Sequence, residues 1–261
     1  MKGVDGKMTS PTENHTSQTR RKIDPEGLGI DPLRYDGQRD DPSEVAGILR
    51  ALMPSNVSVL DVGCGTGSIT VIANRGHDNL IVAVEPDTAR AEMAASRGVN
   101  VHNCYLDEAF IEKHGQYDVV MSSDVLEHTP DPHRFLNLLV KATTQNGLLL
   151  ISVPNVAHWS VRLNLFFGRF DYEPCGIMDV THLRWFTAKS ILALFKDCDL
   201  EVTVLRHTTG FDLPIYNRGL LRLIPGRLKR PAIRMFTTLF PKLFGVQHVL
   251  VAHKAAQARV S

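Results

Sequence analysis

An acidic residue and three alternating glycines follow one apolar run of the chain, and this spacing is suited to holding a ligand. The run 59–62 contains Asp61 and leads into Gly63-Cys64-Gly65-Thr66-Gly67. Glycine is required where a backbone takes positive φ or lies flat against a ligand, because a Cβ would clash there. A turn of this kind after a strand directs free N–H groups toward the usual ligand crevice of an open α/β sheet.

The glycine spacing separates two classes of nucleotide ligand. A dinucleotide fingerprint requires G-x-G-x-x-G, so that backbone amides can cradle a pyrophosphate. Here the third glycine comes one residue early and Asp61 precedes the first, which disfavours a nicotinamide dehydrogenase. A carboxylate at that point would repel a pyrophosphate and suit a ligand with a cationic amine. S-adenosylmethionine is such a ligand, and the segment resembles motif I of the class I S-adenosylmethionine-dependent methyltransferases.

The resemblance continues along the chain in the order of that family. Residues 80–85 form a second apolar run that ends in Glu85, about 20 residues beyond the glycines, where an acid grips the ribose hydroxyls. Further strand patterns follow at 99–105, 117–121, 147–153, 200–207 and 246–253. They predict an α/β fold: a Rossmann-like, doubly wound, seven-stranded sheet with an antiparallel last strand and a helical insertion, or lid, before it.

The predicted organisation is a single methyltransferase domain. Residues 1–28 are polar and predict a disordered tail, and residues 29–261 form the domain, with the lid at about 208–245. Asp41-Pro42 and Asp131-Pro132 each predict the start of a helix, because Asp caps and Pro suits the first turn. A further helix is expected over about 156–167.

The resemblance implies which residues bind the cofactor S-adenosylmethionine. Asp61 would hold the methionine amine, Glu85 would bind the ribose diol, and Asp107 would meet the adenine amine. Tyr35 either closes over the cofactor or tethers the amino-terminal arm to the sheet. The whole expected set is Tyr35, Asp61, Gly63, Cys64, Gly65, Gly67, Glu85, Pro86, Asp107, Ser123 and Asp124.

Two polar segments stand where an acceptor would lie. The first is 124–128; if it is helical, Asp124, Glu127 and His128 share one face through their i, i+3 and i+4 spacing. The second is the loop 179–187, which contains His182. Because a hydroxyl acceptor must lose its proton, we expect Asp124 to border the methyl site and His182 to assist deprotonation. The alternatives are local scaffolding for 124–128 and a structural role for His182.

The same residues raise the question of a metal ion. Ribose methyltransferases that cap small silencing RNAs, and ubiquinone-pathway O-methyltransferases, carry a related acid-x-x-Glu-His element. By that resemblance the candidate ligands are Asp124, Glu127, His128 and His182, with His158 as the alternative to His182. Asp124 stands where those enzymes have Glu, and its reach is shorter. We therefore expect no metal.

Segments 152–163 and 168–172, with the loop around His182, resemble one branch of the family. It contains bacterial methyltransferases found with glycan and natural-product enzymes, and methionine-biosynthesis accessory proteins. The resemblance implies O-methylation of a small polar acceptor, such as a sugar or natural-product hydroxyl. The alternative is a non-catalytic accessory subunit of a biosynthetic enzyme.

Composition excludes several other classes. A net charge of +1 argues against a dedicated nucleic-acid binder, and four cysteines without paired spacing argue against a disulfide framework or zinc site. No apolar run approaches the roughly 18–20 residues of a membrane span, and the amino terminus lacks a signal core. A cytoplasmic location is expected.

The segment from residue 206 onward is basic and amphipathic, with Asp212 as its one acid. One interpretation is a lid whose apolar side packs on the sheet. The other is a surface that makes weak contact with an anionic membrane or an anionic substrate.

Overall fold

Seven strands form the centre of the computed structural model, which describes residues 31–255 except 212 and 218. The tail predicted for residues 1–28 lies outside the described residues. The strands are β1 Ser58–Val62, β2 Leu80–Val84, β3 Asn100–His102, β4 Tyr117–Ser123, β5 Thr143–Pro154, β6 Leu200–His207 and β7 Gln247–Lys254.

The strand order is β3-β2-β1-β4-β5-β7-β6, with β7 antiparallel to both of its neighbours. The predicted fold is therefore confirmed. The order reverses between β1 and β4, because the chain first builds outward to β3 and then returns to the other side of β1. In an open α/β sheet, ligands bind outside the carboxyl ends of the strands at such a reversal.

Helices cover both faces of this sheet. They are α1 Val45–Leu52, α2 Ser68–Ala73, α3 Thr88–Ser96, α4 Glu108–His114, α5 Pro132–Ala142, α6 Trp159–Phe166, α7 Ala188–Asp197, α8 Gly226–Leu239 and α9 Pro241–Phe244. Neighbouring strand residues point to opposite faces. Leu60 of β1 packs in the core beneath α4, α5 and α7, whereas Val59 packs in the core beneath α1 and α2. Burial on both faces explains why the strands read as continuous apolar runs.

Two helix starts differ from the expectation because side chains form turns first. Asp41 accepts the N–H of Ser43 at 2.8 Å, and α1 begins only at Val45. Asn155 likewise accepts the N–H of Ala157 at 3.0 Å, and α6 begins at Trp159. The start at Asp131 is confirmed, since its carboxylate accepts the N–H of Arg134 at 3.0 Å.

The segment between β6 and β7 carries the helices α8 and α9, preceded by two 3₁₀ turns, Pro214–Asn217 and Gly219–Leu223. Pairing of His207 with His248 and of Pro154 with Gln247 places this segment at the carboxyl edge of the parallel strands. Across the part of the chain that the structure describes, no helix combines the length and hydropathy needed to cross a bilayer.

Candidate active site

A cleft of about 1710 Å³ opens at the carboxyl edge of the sheet. Its walls come from the ends of β1, β2 and β4, from the arm that precedes α1, and from the loop that precedes α7. The predicted site residues in these walls are Tyr35, Asp61, Gly63, Cys64, Gly65, Glu85, Pro86, Asp107, Ser123, Asp124, Glu127, His128 and His182. The structure thus brings these predicted residues together in one cleft, whereas Gly67, which was also predicted, lies outside its lining.

Two glycines of the turn after β1, Gly65 and Gly67, have different surroundings, and a side chain would be excluded at each for a different reason. Gly65 has φ +57, and a Cβ built on it would meet no protein atom within 4 Å. Gly67 has φ +75, but a Cβ there would lie 3.1 Å from Ala94 and from Val99. Gly65 therefore faces the open cleft, whereas Gly67 packs against α3 and does not line the cleft. Packing alone accounts for a glycine at position 67.

Asp61 is buried beneath this turn and accepts a hydrogen bond from Thr70 Oγ1 at 2.6 Å. Burial raises the pKa of Asp61 to about 7, with a further increase from the charge of Glu85 and opposition from the Thr70 hydrogen bond. A cationic group placed beside it would favour the carboxylate and lower that pKa.

Glu85 ends β2 with both carboxylate oxygens held by backbone N–H groups. Gly65 donates to Oε2 at 2.8 Å and Asp87 donates to Oε1 at 3.0 Å. Since each oxygen has further lone pairs, this fixed carboxylate can still accept two hydroxyl donors from a diol. Asp107 lies further along the cleft, where its Oδ1 caps α4 by accepting the N–H of Phe110 at 2.7 Å.

Asp124 does not share a helical face with Glu127 and His128, so that expectation is wrong. Its φ of +54 turns the chain before a short 3₁₀ turn, Leu126–His128, begins. The Asp124 carboxylate then accepts hydrogen bonds from Ser152 Oγ at 3.0 Å and Gln247 Nε2 at 2.7 Å. Burial raises the pKa of Asp124 to about 6 against these two bonds.

His182 and His128 meet edge to face, with ring centroids 4.8 Å apart. His182 Nδ1 lies 3.1 Å from the carbonyl oxygen of Ile177, and His128 Nδ1 lies 3.1 Å from that of Thr181. A carbonyl oxygen only accepts, so each Nδ1 carries the proton and each Nε2 keeps its lone pair. Burial, with the neighbouring His128, lowers the pKa of His182 to about 4.

Glu127 completes this group. In the described part of the chain, neither of its buried carboxyl oxygens has a hydrogen-bond partner. Its Oε1 lies 4.0 Å from His182 Nε2. Burial, reinforced by Asp124, raises the pKa of Glu127 well above its usual value. As a carboxylate, Glu127 would face the two Nε2 atoms as a third acceptor, and leaving a buried acceptor unpaired is costly. A proton, a hydroxyl donor or a cation would relieve that cost.

The arm before α1 is fastened across the cleft to Asp179. Arg34 forms a salt bridge with Asp179 at 3.1 Å, and the Tyr35 hydroxyl donates to the same carboxylate. The N–H of Gly176 donates to the Tyr35 hydroxyl at 3.0 Å. Tyr35 therefore tethers the arm to the loop that contains Asp179 and not to the sheet, and it lines the cleft, where closure over the cofactor stays a prediction.

The profile of the family described as "Methyltransferase domain" matches residues 35–205. This chain belongs to that family. The matched range contains the glycine turn, the two acids Asp61 and Glu85, and the loop with His182. The methyltransferase is thereby identified as S-adenosylmethionine-dependent, and the expected cofactor is confirmed.

Two relatives show how far the sequence similarity extends. The methyltransferase is 28% identical over 159 residues to a ubiquinone biosynthesis O-methyltransferase of Rickettsia akari (strain Hartford), covering 58% of this chain and 62% of that protein. It is 36% identical over 133 residues to an uncharacterized methyltransferase of Mycobacterium sp. (strain JLS), covering 47% of this chain and 50% of the relative. The chain therefore spans about half to three-fifths of the length of these two relatives.

Solved structures agree with the fold. A SAM-dependent methyltransferase from Thermotoga maritima superimposes with a TM-score of 0.53 at 16% identity, covering 80% of this chain and 86% of that one. A SAM-dependent methyltransferase from Archaeoglobus fulgidus gives 0.51 at 18% identity, covering 80% and 92%. At such identities the similarity concerns the fold alone.

The residues of the methyltransferase's cleft fit S-adenosylmethionine. The open space before Gly65 accepts a ligand, and two buried acids stand beside it for a cationic amine and a diol. Three contributors escaped sequence reasoning as site residues: Arg34, Asp179 and Gln247. Arg34 and Asp179 are separated by 145 positions in the sequence, and no local pattern links them.

Proposed function

We propose that this methyltransferase moves a methyl group from S-adenosylmethionine to an oxygen of a small polar acceptor, such as a sugar or natural-product hydroxyl. The observation that carries the proposal is the group of Glu127, His128 and His182, which presents acceptor atoms without a donor at one side of the cleft. A hydroxyl group entering there would supply the missing donor.

The cofactor half would orient the methyl donor. Asp61 binds the amine, Glu85 binds the ribose hydroxyls, and the backbone at Gly65 approaches the ligand closely. When bound, S-adenosylmethionine supplies an electrophilic methyl on a sulfonium. Holding the acceptor oxygen in line with it provides much of the rate, because the geometry is set before reaction.

The acceptor half would manage the proton. With S-adenosylmethionine bound as the methyl donor, His182 Nε2 would accept the proton that the acceptor hydroxyl loses on methylation. An imidazolium at His182 would favour the carboxylate form of Glu127, 4.0 Å away, and the proton that burial keeps on Glu127 would then leave to solvent. Asp124 borders this position and is held rigid by Ser152 and Gln247.

Support for oxygen as the methylated atom comes from the name of the Rickettsia relative, an O-methyltransferase. The buried general base supports it as well, because a hydroxyl must lose a proton to become a good nucleophile.

The test measures formation of S-adenosylhomocysteine against a panel of sugar, phenol and amine acceptors. We expect turnover with a hydroxyl acceptor and its loss in His182→Asn. Transfer only to amines or carbon would overturn the proposal. No transfer at all, together with a stoichiometric complex with another protein, would instead establish the accessory-subunit alternative.

A second candidate mechanism uses a divalent cation. Glu127, His128 and His182 each offer one ligand atom, and these atoms lie within 4.8 Å of one another. One carboxylate and two imidazoles suit a transition metal. Asp124 does not join this set, because Ser152 and Gln247 already bind its carboxylate.

Metal analysis of the purified protein decides between the two mechanisms. Stoichiometric metal, and turnover lost with a chelator and restored by the ion, would establish the cation. Full turnover of chelator-treated protein that contains no metal would establish direct proton transfer to His182.

A further inference from the structure

The lid segment, residues 208–245, leaves much of its apolar surface uncovered. Of α8, Ile233 and Thr237 face the protein and are buried. Leu228, Met235 and Leu239 are 61%, 51% and 62% exposed. Their spacing of i, i+7 and i+11 places them on one face of the helix, opposite the buried one. The interpretation in which the apolar side of the lid packs on the sheet is therefore wrong for this face.

Further apolar side chains surround this face. Leu223 and Ile224 before α8, Phe236 within it and Phe240 directly after it also expose large apolar groups. Contiguous exposed apolar surface of this kind marks an interaction site more often than single scattered residues do.

The flank of the exposed face is basic. Arg227, Arg230 and Arg234, at i, i+3 and i+7, share a neighbouring face of α8. The guanidinium groups of Arg230 and Arg234 lie 5.3 and 5.8 Å from the ring centroid of Phe211. Arg234 also donates to Ser43 Oγ at 2.9 Å. These contacts hold Arg230 and Arg234 along one side of α8 while all three arginines stay exposed, so that the basic flank lies beside the apolar face at the surface.

The charge of the segment is of one sign. Residues 213–246 contain no Asp or Glu, and their cations are Arg218, Arg222, Arg227, Lys229, Arg230, Arg234 and Lys242. Among those that the structure describes, none forms a salt bridge. A second copy of this chain on the same face would bring like charges together, which disfavours self-association.

We propose that α8 and its flanking turns dock on an anionic phospholipid membrane, with the apolar face inserted at the headgroup boundary and the arginines on the lipid phosphates. Helices with an apolar face, a basic flank and low overall hydropathy lie in the membrane interface in this way. Anionic lipid attracts each added Lys or Arg over a short range.

The position of the lid gives this surface a relation to the cleft. Gly210, Leu213 and Pro214 at its start, and Val246 at its end, all line the cleft. A membrane bound to α8 therefore lies at the same edge of the sheet as the cleft. This surface is independent of the reaction, and its test uses neither cofactor nor acceptor.

Vesicle co-sedimentation of the full chain tests the docking. At low salt we expect binding to vesicles that contain phosphatidylglycerol and little binding to phosphatidylcholine alone. The variant R227Q/R230Q/R234Q should bind roughly a hundredfold more weakly. The variant L228S/M235S/L239S should bind at least about tenfold more weakly. Because Leu228, Met235 and Leu239 are exposed, thermal unfolding of L228S/M235S/L239S should match the parent. R227Q/R230Q/R234Q also loses the contacts with Phe211 and Ser43, so its unfolding temperature should fall slightly, and its vesicle binding is compared well below that temperature.

Matched controls lie elsewhere on the surface. Leu80→Ser removes an apolar group that is 79% exposed at the opposite edge of the sheet, and K189Q/K196Q removes two exposed cations from α7. Both should bind vesicles as the parent does. Absence of binding to anionic vesicles, or an equal loss in the controls, would overturn the proposal. So would a dimer in light scattering that L228S/M235S/L239S dissociates.

Discussion

The two halves of the cleft are built differently. The cofactor half uses residues that follow directly from strand ends: Asp61 and Gly65 after β1, and Glu85 after β2. The acceptor half brings together Glu127 and His182 from distant segments. In the first half both oxygens of Glu85 and Oδ2 of Asp61 accept hydrogen bonds from the protein, whereas in the second neither carboxyl oxygen of Glu127 has a partner among the described residues. One half is complete before a ligand arrives, and the other requires a donor from outside.

The largest effect should come from the acceptor half. His182→Asn should lower the rate of methyl transfer by about 10²–10⁴, because the hydroxyl proton loses its acceptor. Glu127→Gln should lower it in the same direction, because the imidazolium of His182 loses the carboxylate beside it. Cofactor affinity should stay close to that of the parent, since neither residue belongs to the cofactor half. Steady-state kinetics and cofactor titration together measure this separation.

His158→Asn is the matched control for His182→Asn. Burial lowers the pKa of His158 to about 4 as it does for His182, but His158 does not line the cleft. Its side chain accepts the N–H of Ser160 at the start of α6, a role that Asn also performs. Equal loss of turnover in the two variants would remove the distinction between the halves.

The next largest effect should come from removing the Glu85 carboxylate, which we expect to bind the ribose hydroxyls. Glu85→Ala should weaken binding of S-adenosylhomocysteine by at least about 1.5–3 kcal/mol, the value of one hydrogen bond to a charged group. Calorimetric titration measures it. Glu108→Ala, which removes an exposed carboxylate elsewhere in the cleft wall, should bind as the parent does. Unchanged affinity in Glu85→Ala would mean that the ribose lies elsewhere.

The glycine turn offers a paired comparison of intermediate size. Gly65→Ala and Gly67→Ala share the cost of positive φ, about 1–2 kcal/mol in each case. Gly67→Ala adds contacts at 3.1 Å with α3, so it should lower the unfolding temperature more. Gly65→Ala should instead lower cofactor affinity more, because its methyl group occupies ligand space. Thermal unfolding of both variants measures the loss of stability, and cofactor titration measures the loss of affinity; the two losses should rank the variants in opposite order.

The smallest expected effect is the release of a proton when the cofactor binds. The pKa of Asp61 is raised to about 7 before a ligand binds, so the group is mostly protonated at pH 6. A cationic amine favours the carboxylate, and binding should therefore release close to one proton at pH 6 and almost none above pH 8. Calorimetry in buffers of different ionisation enthalpy measures the release. Asp61→Asn should abolish it, and proton uptake in the parent would contradict the assignment.

The cofactor half could be predicted from sequence because its information is local. A strand, an acid and glycines within nine positions specify the turn, and the second strand places Glu85 beside it through the parallel register with β1. The apolar runs located the strands along the chain, and the family resemblance implied the doubly wound sheet with its antiparallel last strand. Helix starts were less accurate where Asp41 and Asn155 form turns of their own before the helix begins.

The acceptor half could be predicted only as a set of residue types. Sequence indicated Glu127, His128 and His182, but a helical spacing rule placed Asp124 with them. The left-handed conformation of Asp124 depends on partners in β5 and β7, Ser152 and Gln247, that no local pattern reveals. The exposure of the apolar face of α8 could not be predicted either, because amphipathic spacing does not show whether the apolar side of a helix packs against the protein.

The fastening of the arm has a kinetic consequence. Arg34 and Tyr35 both hold Asp179, and Asp179 stands three positions before His182 in the same loop. Breaking the contacts of the Asp179 carboxylate would release the arm from the cleft and would also loosen the loop that carries His182. S-adenosylmethionine would then enter, and the methylated product would leave, through the same opening of the arm. The rate of that opening would set an upper limit on turnover.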